Sequence, residues 1–553
     1  MFLSRMSRVH CLWLLWMLAA STTTAQPTDS GIPIDDPTVR QACSRCHQAD
    51  DEGRLSRISF RRTTPEGWQQ TIRRMVTLND VALTPETARE VVRYLANHLG
   101  LAPEEARQAA YEVERRADDQ PYEDADVQNT CTQCHSMGRV ISQRRTEEEW
   151  RLLMAMHRGY YPFTDFQAFR RGGAPSDEPE PVDQAVTHLS ERFPLDTTEW
   201  SAWAATMRPA RVGGTWLLRG HAPGLGGVYG RVTITPVPDT DDEFTTSTTY
   251  VYARDGRRVT RTGRAVIYTG FQWRGRSFVD DVDADGLREV MFVERDWRTM
   301  TGRWFAGAYD EDGLDITLER ATGAATVAGV HPTALAVDTT QTIRVYGLSL
   351  SLPTPATAID LGPGVTVLSV EGGTGEWIDI AVQVDADATV GRRDLVLGQT
   401  AVANALTVYD TVHRIGVTPA AGMARVGGGQ FPKQYQQFEA KAYHNGPDNE
   451  PNTEDDIDLG VVDVRWSLEE YAVTVGDDDL DYVGHIDDTG RFDPAIDGPN
   501  PERSGDRNNV GDVWVVASYP VDPRGENELR ARGHLLVTVP LYMRWDPSAV
   551  EQP

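Results

Sequence analysis

Cys43-Ser44-Arg45-Cys46-His47 and Cys131-Thr132-Gln133-Cys134-His135 are the two stretches on which the reading of this chain turns. Each has the form C-x-x-C-H, the attachment signature of a c-type haem. The spacing has a chemical reason. Two thiols three residues apart on one turn each add to a vinyl group of the same porphyrin, and the adjacent histidine meets the iron as its proximal ligand. The motifs therefore predict two covalently bound haem c groups, attached at Cys43, Cys46, Cys131 and Cys134, with His47 and His135 on the irons. The chain has five cysteines, and the fifth, Cys11, lies in a leader, so nothing remains for a disulfide framework or a free nucleophilic thiol. A zinc site made from the two C-x-x-C pairs is the competing reading, and it leaves the histidine after each pair unexplained.

Residues 1–25 read as a cleaved signal peptide. Arg5 and Arg8 are followed by the apolar run 11–20 and a small-residue exit through Thr22, Thr23, Thr24 and Ala25. That run is too short to span a bilayer, which takes about twenty apolar residues, and no later stretch is long and apolar enough. The expectation is a periplasmic protein without a membrane span, which agrees with haem attachment on the outer side of the bacterial inner membrane. The formal charge of −28 disfavours nucleic acid and anionic membranes and favours partners that present a basic patch.

Working outward, residues 26–110 predict a first cytochrome c-like haem domain. After its motif comes an amphipathic helix through Trp68, Ile72 and Met75. A second helix starts at Thr84-Pro85-Glu86, where threonine caps, proline takes the first turn and glutamate faces the positive end. Residues 103–117 read as a connecting helix. Residues 111–209 predict a second such domain, with a helix from Trp150 through His157 and a closing helix over 182–193. Trp68 leads Met75 by seven positions and Trp150 leads His157 by seven, two helical turns in each case, so each pair shares a helix face. Met75 is the predicted distal ligand of the first haem and His157 that of the second; Met137, Met154, Met156 and His98 are the competitors. Methionine favours Fe(II) more than imidazole does, so His47/Met75 is expected at the higher potential and His135/His157 at the lower.

Beyond residue 210 the pattern changes to alternating apolar and polar runs with Gly and Asp turns. Residues 210–326 predict an antiparallel β domain, and 327–410 and 411–553 an immunoglobulin-like β-sandwich each. The fold class is thus multidomain α plus all-β: two helical haem domains followed by three antiparallel β domains of barrel or sandwich type.

At this point the chain resembles the α subunit of quinohaemoprotein amine dehydrogenase. The marks are the paired C-x-x-C-H motifs, Trp150 through Met156-His157-Arg158-Gly159 with Pro162, and Glu199-Trp200-Ser201-Ala202-Trp203, Met207-Arg208 and Gly214-Thr215-Trp216 at the helix-to-β junction. The resemblance implies a periplasmic heterotrimer completed by a β-propeller subunit and a small γ subunit. The γ subunit would carry the cysteine tryptophylquinone that oxidises primary amines to aldehydes. It also implies that this chain breaks no substrate bond; it takes electrons from the quinone and passes them to a soluble acceptor such as a small cytochrome c or a blue copper protein, and the ligand-based potentials above order the path through the second haem and then the first. One departure stands out: a histidine-glycine pair expected after the first helix's methionine is Asn79-Asp80 here. The alternative is an independent dihaem enzyme of peroxidase type, which needs an open iron position, whereas each unit here supplies a sixth ligand. An adhesive scaffold with incidental haems is disfavoured by the continuous family-like match across 199–216.

Among other candidate sites, Asp281-Val282-Asp283-Ala284-Asp285-Gly286 opens like a calcium loop, but its twelfth position is Phe292. Asp448, Asp455, Asp456 and Asp458 make a second acidic loop. Both read first as turns, with calcium the alternative. Gly224–Gly230 lacks dinucleotide-loop spacing and reads as a β turn. Trp68, Trp150, Trp200 and Trp203 read as core or haem-packing residues.

Overall fold

A computed structural model describes residues 30–111, 117–118, 121–173, 177–279, 286–307, 312–351, 354–472, 477–521 and 527–545. The helical region opens with α1 (Pro37–Cys43), β1 (Arg61–Thr63), α2 (Pro65–Leu78), α3 (Pro85–His98) and α4 (Pro103–Arg107). After a short β2 (Ala117–Asp118) come α5 (Ala125–Cys131), α6 (Gly138–Ile141), β3 (Gln143–Arg145), α7 (Glu147–Tyr160), α8 (Pro181–Arg192) and α9 (Thr198–Thr206).

The starts of the main helices follow from capping chemistry. Thr64, Thr84 and Thr146 each accept a hydrogen bond from the backbone N–H three residues on, which satisfies one otherwise orphaned donor. Pro65 and Pro85 sit where no N–H is needed, and Glu147, Glu148 and Glu149 face the positive end of α7. One apolar stripe, Trp68 and Ile72 of α2 with Val91, Val92, Leu95 and Ala96 of α3, closes a first core; Trp150, Leu153 and Met154 of α7 with Val182, Ala185, Val186 and Leu189 of α8 close a second. Between them runs a two-stranded antiparallel ribbon in which Arg61, Arg62 and Thr63 of β1 pair with Arg145, Arg144 and Gln143 of β3.

The connecting helix expected over 103–117 is shorter. It ends at Arg107, with turn at 108–111 and a strand at Ala117–Asp118; within it Glu105 is buried against Arg62, and Arg107 reaches Glu294 at 2.7 Å. Residues 112–116 lie outside the described residues, as do the leader 1–25 and Asp281–Asp285 of the first acidic loop.

Eight strands, β4 (Gly214–Ala222), β5 (Gly226–Pro236), β6 (Glu243–Tyr252), β7 (Arg258–Tyr268), β8 (Gln272–Phe278), β9 (Leu287–Val293), β10 (Thr299–Ala306) and β11 (Gly313–Arg320), form a closed antiparallel barrel. Closure comes from β11 pairing back on β4, so no edge is left to pair with another chain. Alternation puts Trp216, Tyr250, Trp273, Met291 and Trp304 inside. The glycine run is a turn only at its start: Leu225 N donates to Ala222 O at 2.9 Å, and from Gly226 onward the chain is strand.

Two four-stranded sheets follow. One orders Thr326–His331, Thr339–Leu348, Trp377–Val384 and Val365–Gly373; the other orders Ala334–Ala336, Thr400–Tyr409, Gly391–Leu397 and Ile359–Asp360. They share one core around Ile343, Val345, Ile378, Ile380, Leu395 and Val408. The last region has a four-stranded sheet and two three-stranded ones around Phe438, Phe492, Val513 and Leu535. Its final short strand, Met543–Arg544, returns to pair in parallel with β2. Among the described residues, no helix is long and apolar enough to cross a membrane.

Candidate functional site

The second motif is built at a helix end. Asp124 caps α5, whose last residue is Cys131, and Thr132 turns the chain out with its hydroxyl donating to Gln128 O at 2.7 Å. Cys131, Cys134, His135 and His157 line a single pocket of about 290 Å³, walled by Trp150, Tyr161 and Phe169. No disulfide joins Cys131 and Cys134, and burial pushes the Cys131 thiol up to about 12.

His135 and His157 face each other with ring centroids 6.4 Å apart. A metal nitrogen bond of about 2 Å, plus about 1 Å from nitrogen to ring centre on either side, spaces two axial imidazoles by about 6 Å. The observed pair fits one iron between them. Nδ1 of His135 is 3.0 Å from Ser136 O, and Nδ1 of His157 is 2.8 Å from Leu153 O. Each Nδ1 is thereby engaged as the donor, which fixes the tautomer and leaves Nε2 as the nitrogen that could bind a metal. Burial pushes the His135 imidazolium down to about 4 and lowers that of His157, so both rings are neutral near pH 7, the state in which imidazole binds metal.

The first motif repeats the layout. Asp36 caps α1, which ends at Cys43, and Cys46 N and His47 N both turn back on Cys43 O at 3.2 and 3.0 Å. His47 Nδ1 lies 2.8 Å from Ser56 O, again leaving Nε2 to ligate. Burial pushes the Cys43 thiol up to about 11. Met75 is half-buried on α2 and is not one of the residues packed into the core that holds Trp68 and Ile72. Its competitors are engaged elsewhere. His98 Nε2 is 2.7 Å from Pro33 O, and its ring stacks on Tyr94. Met137 and Met154 lie in the second core, and the Met156 sulfur accepts from Arg74 Nη1 at 3.5 Å. Of the tryptophans, Trp68, Trp150 and Trp200 are buried, and Trp203 is partly buried with Nε1 donating to Thr269 O at 2.9 Å.

Carboxylates of the second acidic loop are engaged by the loop itself and by cations of neighbouring strands. Asp455 accepts from Asp448 N and Thr453 Oγ1, Asp456 accepts from Asn452 N and pairs with Arg414, and Asp458 pairs with Lys441.

Sequence reasoning missed the ribbon arginines. The signal was present: Arg61-Arg62-Thr63 and Arg144-Arg145-Thr146 precede Trp68 and Trp150 in the two halves of the repeat. Arg62, fully buried, forms a two-point pair with Glu105 (2.8 and 3.0 Å), and Arg144 joins the same carboxylate at 3.2 Å. Burial alone would raise the Glu105 pKa; hydrogen bonds and charge from Arg62 and Arg144 outweigh it and hold the carboxyl below its usual range.

Four family models match the chain. One, described as "Quinohemoprotein amine dehydrogenase A, alpha subunit, haem binding", covers residues 35–200; the others, for alpha subunit domains II, III and IV, cover 209–321, 324–410 and 415–550. No curated protein matches. Among solved structures, a redesigned beta barrel is 13% identical over 20% of this chain and 91% of its own (TM-score 0.17), and human mucin-like protocadherin EC1-2 is 12% identical over 39% and 98% (TM-score 0.16). Likenesses at that level carry no argument about function. The family models run from the first haem motif to the last β region, and the chain therefore belongs to the quinohaemoprotein amine dehydrogenase α-subunit family.

Proposed function

We propose that this chain is the dihaem c electron-transfer subunit of a periplasmic amine dehydrogenase, with one covalently bound haem c in each of two cytochrome c-like helical units. The observation that carries the reading is the His135–His157 pair, 6.4 Å apart in a pocket that also holds Cys131 and Cys134. When bound, haem supplies one-electron Fe(III)/Fe(II) chemistry. The work of this chain's residues is to attach, ligate and insulate it. Cys43 with Cys46 and Cys131 with Cys134 form the thioethers, His47 and His135 are the proximal ligands, and His157 and Met75 close the distal positions. A closed iron suits electron transfer and disfavours the peroxidase-type alternative.

Family membership supports the remaining parts. The amine is oxidised at a cysteine tryptophylquinone on a small γ subunit, a β-propeller subunit completes the complex, and a soluble cytochrome c or blue copper protein collects the electrons. Residues 1–25 direct export. Mass spectrometry of the secreted protein is expected to show two haem additions that survive acid acetone. Release of colour into the solvent overturns covalent attachment, and a single addition overturns the dihaem reading.

A further inference from the structure

The β1–β3 ribbon has a second face. There Arg61 and Arg145 stand directly opposite each other in the ladder, an arrangement in which like charges destabilise a sheet pair. Arg61 is 9% exposed; its Nη1 donates to Thr71 Oγ1 at 2.6 Å, and its buried Nε has no hydrogen-bond partner. Arg74 on α2 brings a third guanidinium, whose contact is the Met156 sulfur. Glu149 is the carboxylate at this face, 3.5 Å from Arg145, and it is shared with Arg57 at 2.9 Å. Burial pushes the Glu149 carboxyl above its usual range despite both arginines. Burial, then repulsion from Arg145 and Arg74, presses the Arg61 guanidinium well below its usual pKa.

Arg61, Arg74 and Arg145 all line the pocket that holds Cys131, Cys134, His135 and His157, and none of the described residues lining it is a carboxylate. Among the described residues only Arg57 and Arg145 pair with Glu149, the hydrogen bond of the Arg61 guanidinium goes to Thr71 and the side-chain contact of Arg74 to Met156, and a buried cation without a counter-charge is costly. The pocket is short of anions, and it is short of them where a porphyrin fixed by Cys131 and Cys134 would bring two.

We infer that Arg61, Arg74 and Arg145 form a clamp for the propionate carboxylates of the haem attached at Cys131 and Cys134. This rests on the haem reading above. Guanidinium matches carboxylate in planar, charge-assisted, two-point geometry, the strongest neutralisation that a buried arginine pair can receive. Two of the three cations come from the first helical unit, so that unit completes the cofactor site of the second. Cations fixed at the porphyrin edge favour the reduced iron, so the clamp raises the second haem's potential.

The test is a redox titration and resonance Raman spectroscopy of the secreted, haem-loaded full chain, with His157→Met used to identify the second haem's midpoint as the one that rises. Arg61→Gln is expected to weaken reduction of that haem roughly threefold to tenfold, the latter about 59 mV for a one-electron couple. It should also shift the propionate bending band and leave the first haem's midpoint in place. Arg61→Lys should restore most of the potential. Arg74 is half-buried with one weak contact, so Arg74→Gln keeps the test open if Arg61→Gln fails to fold, and should move the same midpoint the same way by less. Unchanged midpoints and an unchanged propionate band in a protein that carries haem overturn the clamp, as does movement of the first haem's midpoint instead. Absence of haem by mass refutes the underlying haem reading, which is a different result.

Discussion

In the first helical unit α1 ends at Cys43 and α2 carries Trp68 and Met75; in the second, α5 ends at Cys131 and α7 carries Trp150 and His157. The frames repeat to the level of single hydrogen bonds. Trp68 Nε1 and Thr63 N both donate to Leu99 O, the carbonyl just after α3, while Trp150 Nε1 and Arg145 N both donate to Phe193 O, just after α8. Arg61 lies over the Trp68 ring at 5.1 Å and Arg145 over Trp150 at 5.7 Å. The units differ two turns past the tryptophan, where one has a thioether and the other an imidazole. The repeat thus holds the scaffold fixed and varies this one position, which on the proposed reading is the distal ligand, the position that tunes an iron's potential most directly. The ribbon between the units shows a second contrast. On one face the guanidiniums of Arg62 and Arg144 both pair with Glu105; on the other Arg145 pairs with Glu149 while the buried Arg61 Nε has no partner.

The largest expected effect falls on the Glu105 face. Glu105→Gln strips the counter-charge from Arg62 and Arg144 and weakens the reciprocal cap in which Ala102 N donates to Glu105 at 2.8 Å. Breaking a buried pair from one side costs about 3–5 kcal/mol, and thermal unfolding of the secreted protein should register it as a fall of several degrees in Tm. Glu149→Gln, on a face where propionates share the neutralisation, is expected to cost less, about 1.5–3 kcal/mol, the worth of hydrogen bonds to a charged group. Equal losses would show that the two faces are equivalent and that no outside anion serves either.

His157→Met gives the second unit the ligand of the first. A near-infrared band of a methionine–iron bond should appear, and the lower midpoint should rise by a fraction of the roughly 0.8 V that axial ligands span. An unchanged spectrum places the ligand elsewhere.

Local chemistry made much of this readable in advance. The two C-x-x-C-H strings, the Thr-Pro-Glu helix start at 84–86 and the seven-residue step from Trp150 to His157 are short-range signals, and the elements they mark lie within one or two turns of chain. What escaped is long-range. Arg62 and Glu105 are 43 residues apart, and β1 and β3 pair across 80 residues or more, so nothing local assigns Arg61-Arg62 and Arg144-Arg145 to opposite faces of one ribbon. The same distance applies to α4: its composition suits a longer helix, yet it ends at Arg107, and nothing local marks Glu105 and Arg107 as partners of Arg62 and Glu294. The barrel's closure is non-local too, since the alternation marks strands and does not say that β11 returns to β4.

The smallest effect is expected from the reciprocal exchange, Met75→His. Met75 is half-buried and outside the first unit's core, so replacing it opens no cavity among Trp68, Ile72 and their neighbours, and stability should hold within about 0.5 kcal/mol, as for a surface substitution. The change is electronic. Imidazole is the stronger donor to Fe(III), so the higher midpoint should fall toward the lower one and the methionine band of the first haem should vanish, while the second haem's midpoint stays nearly still. The tryptophan anchor and the threonine cap are the same in both units, and an arginine lies over each ring, though from non-equivalent positions of the repeat, so the difference between the two midpoints should shrink to what the clamp arginines and local burial impose. If the lower midpoint moves instead, Met75 serves the other iron and the order of the two haems is reversed. If neither moves, another residue closes the first haem, and the symmetry of the two helices stops short of the ligand.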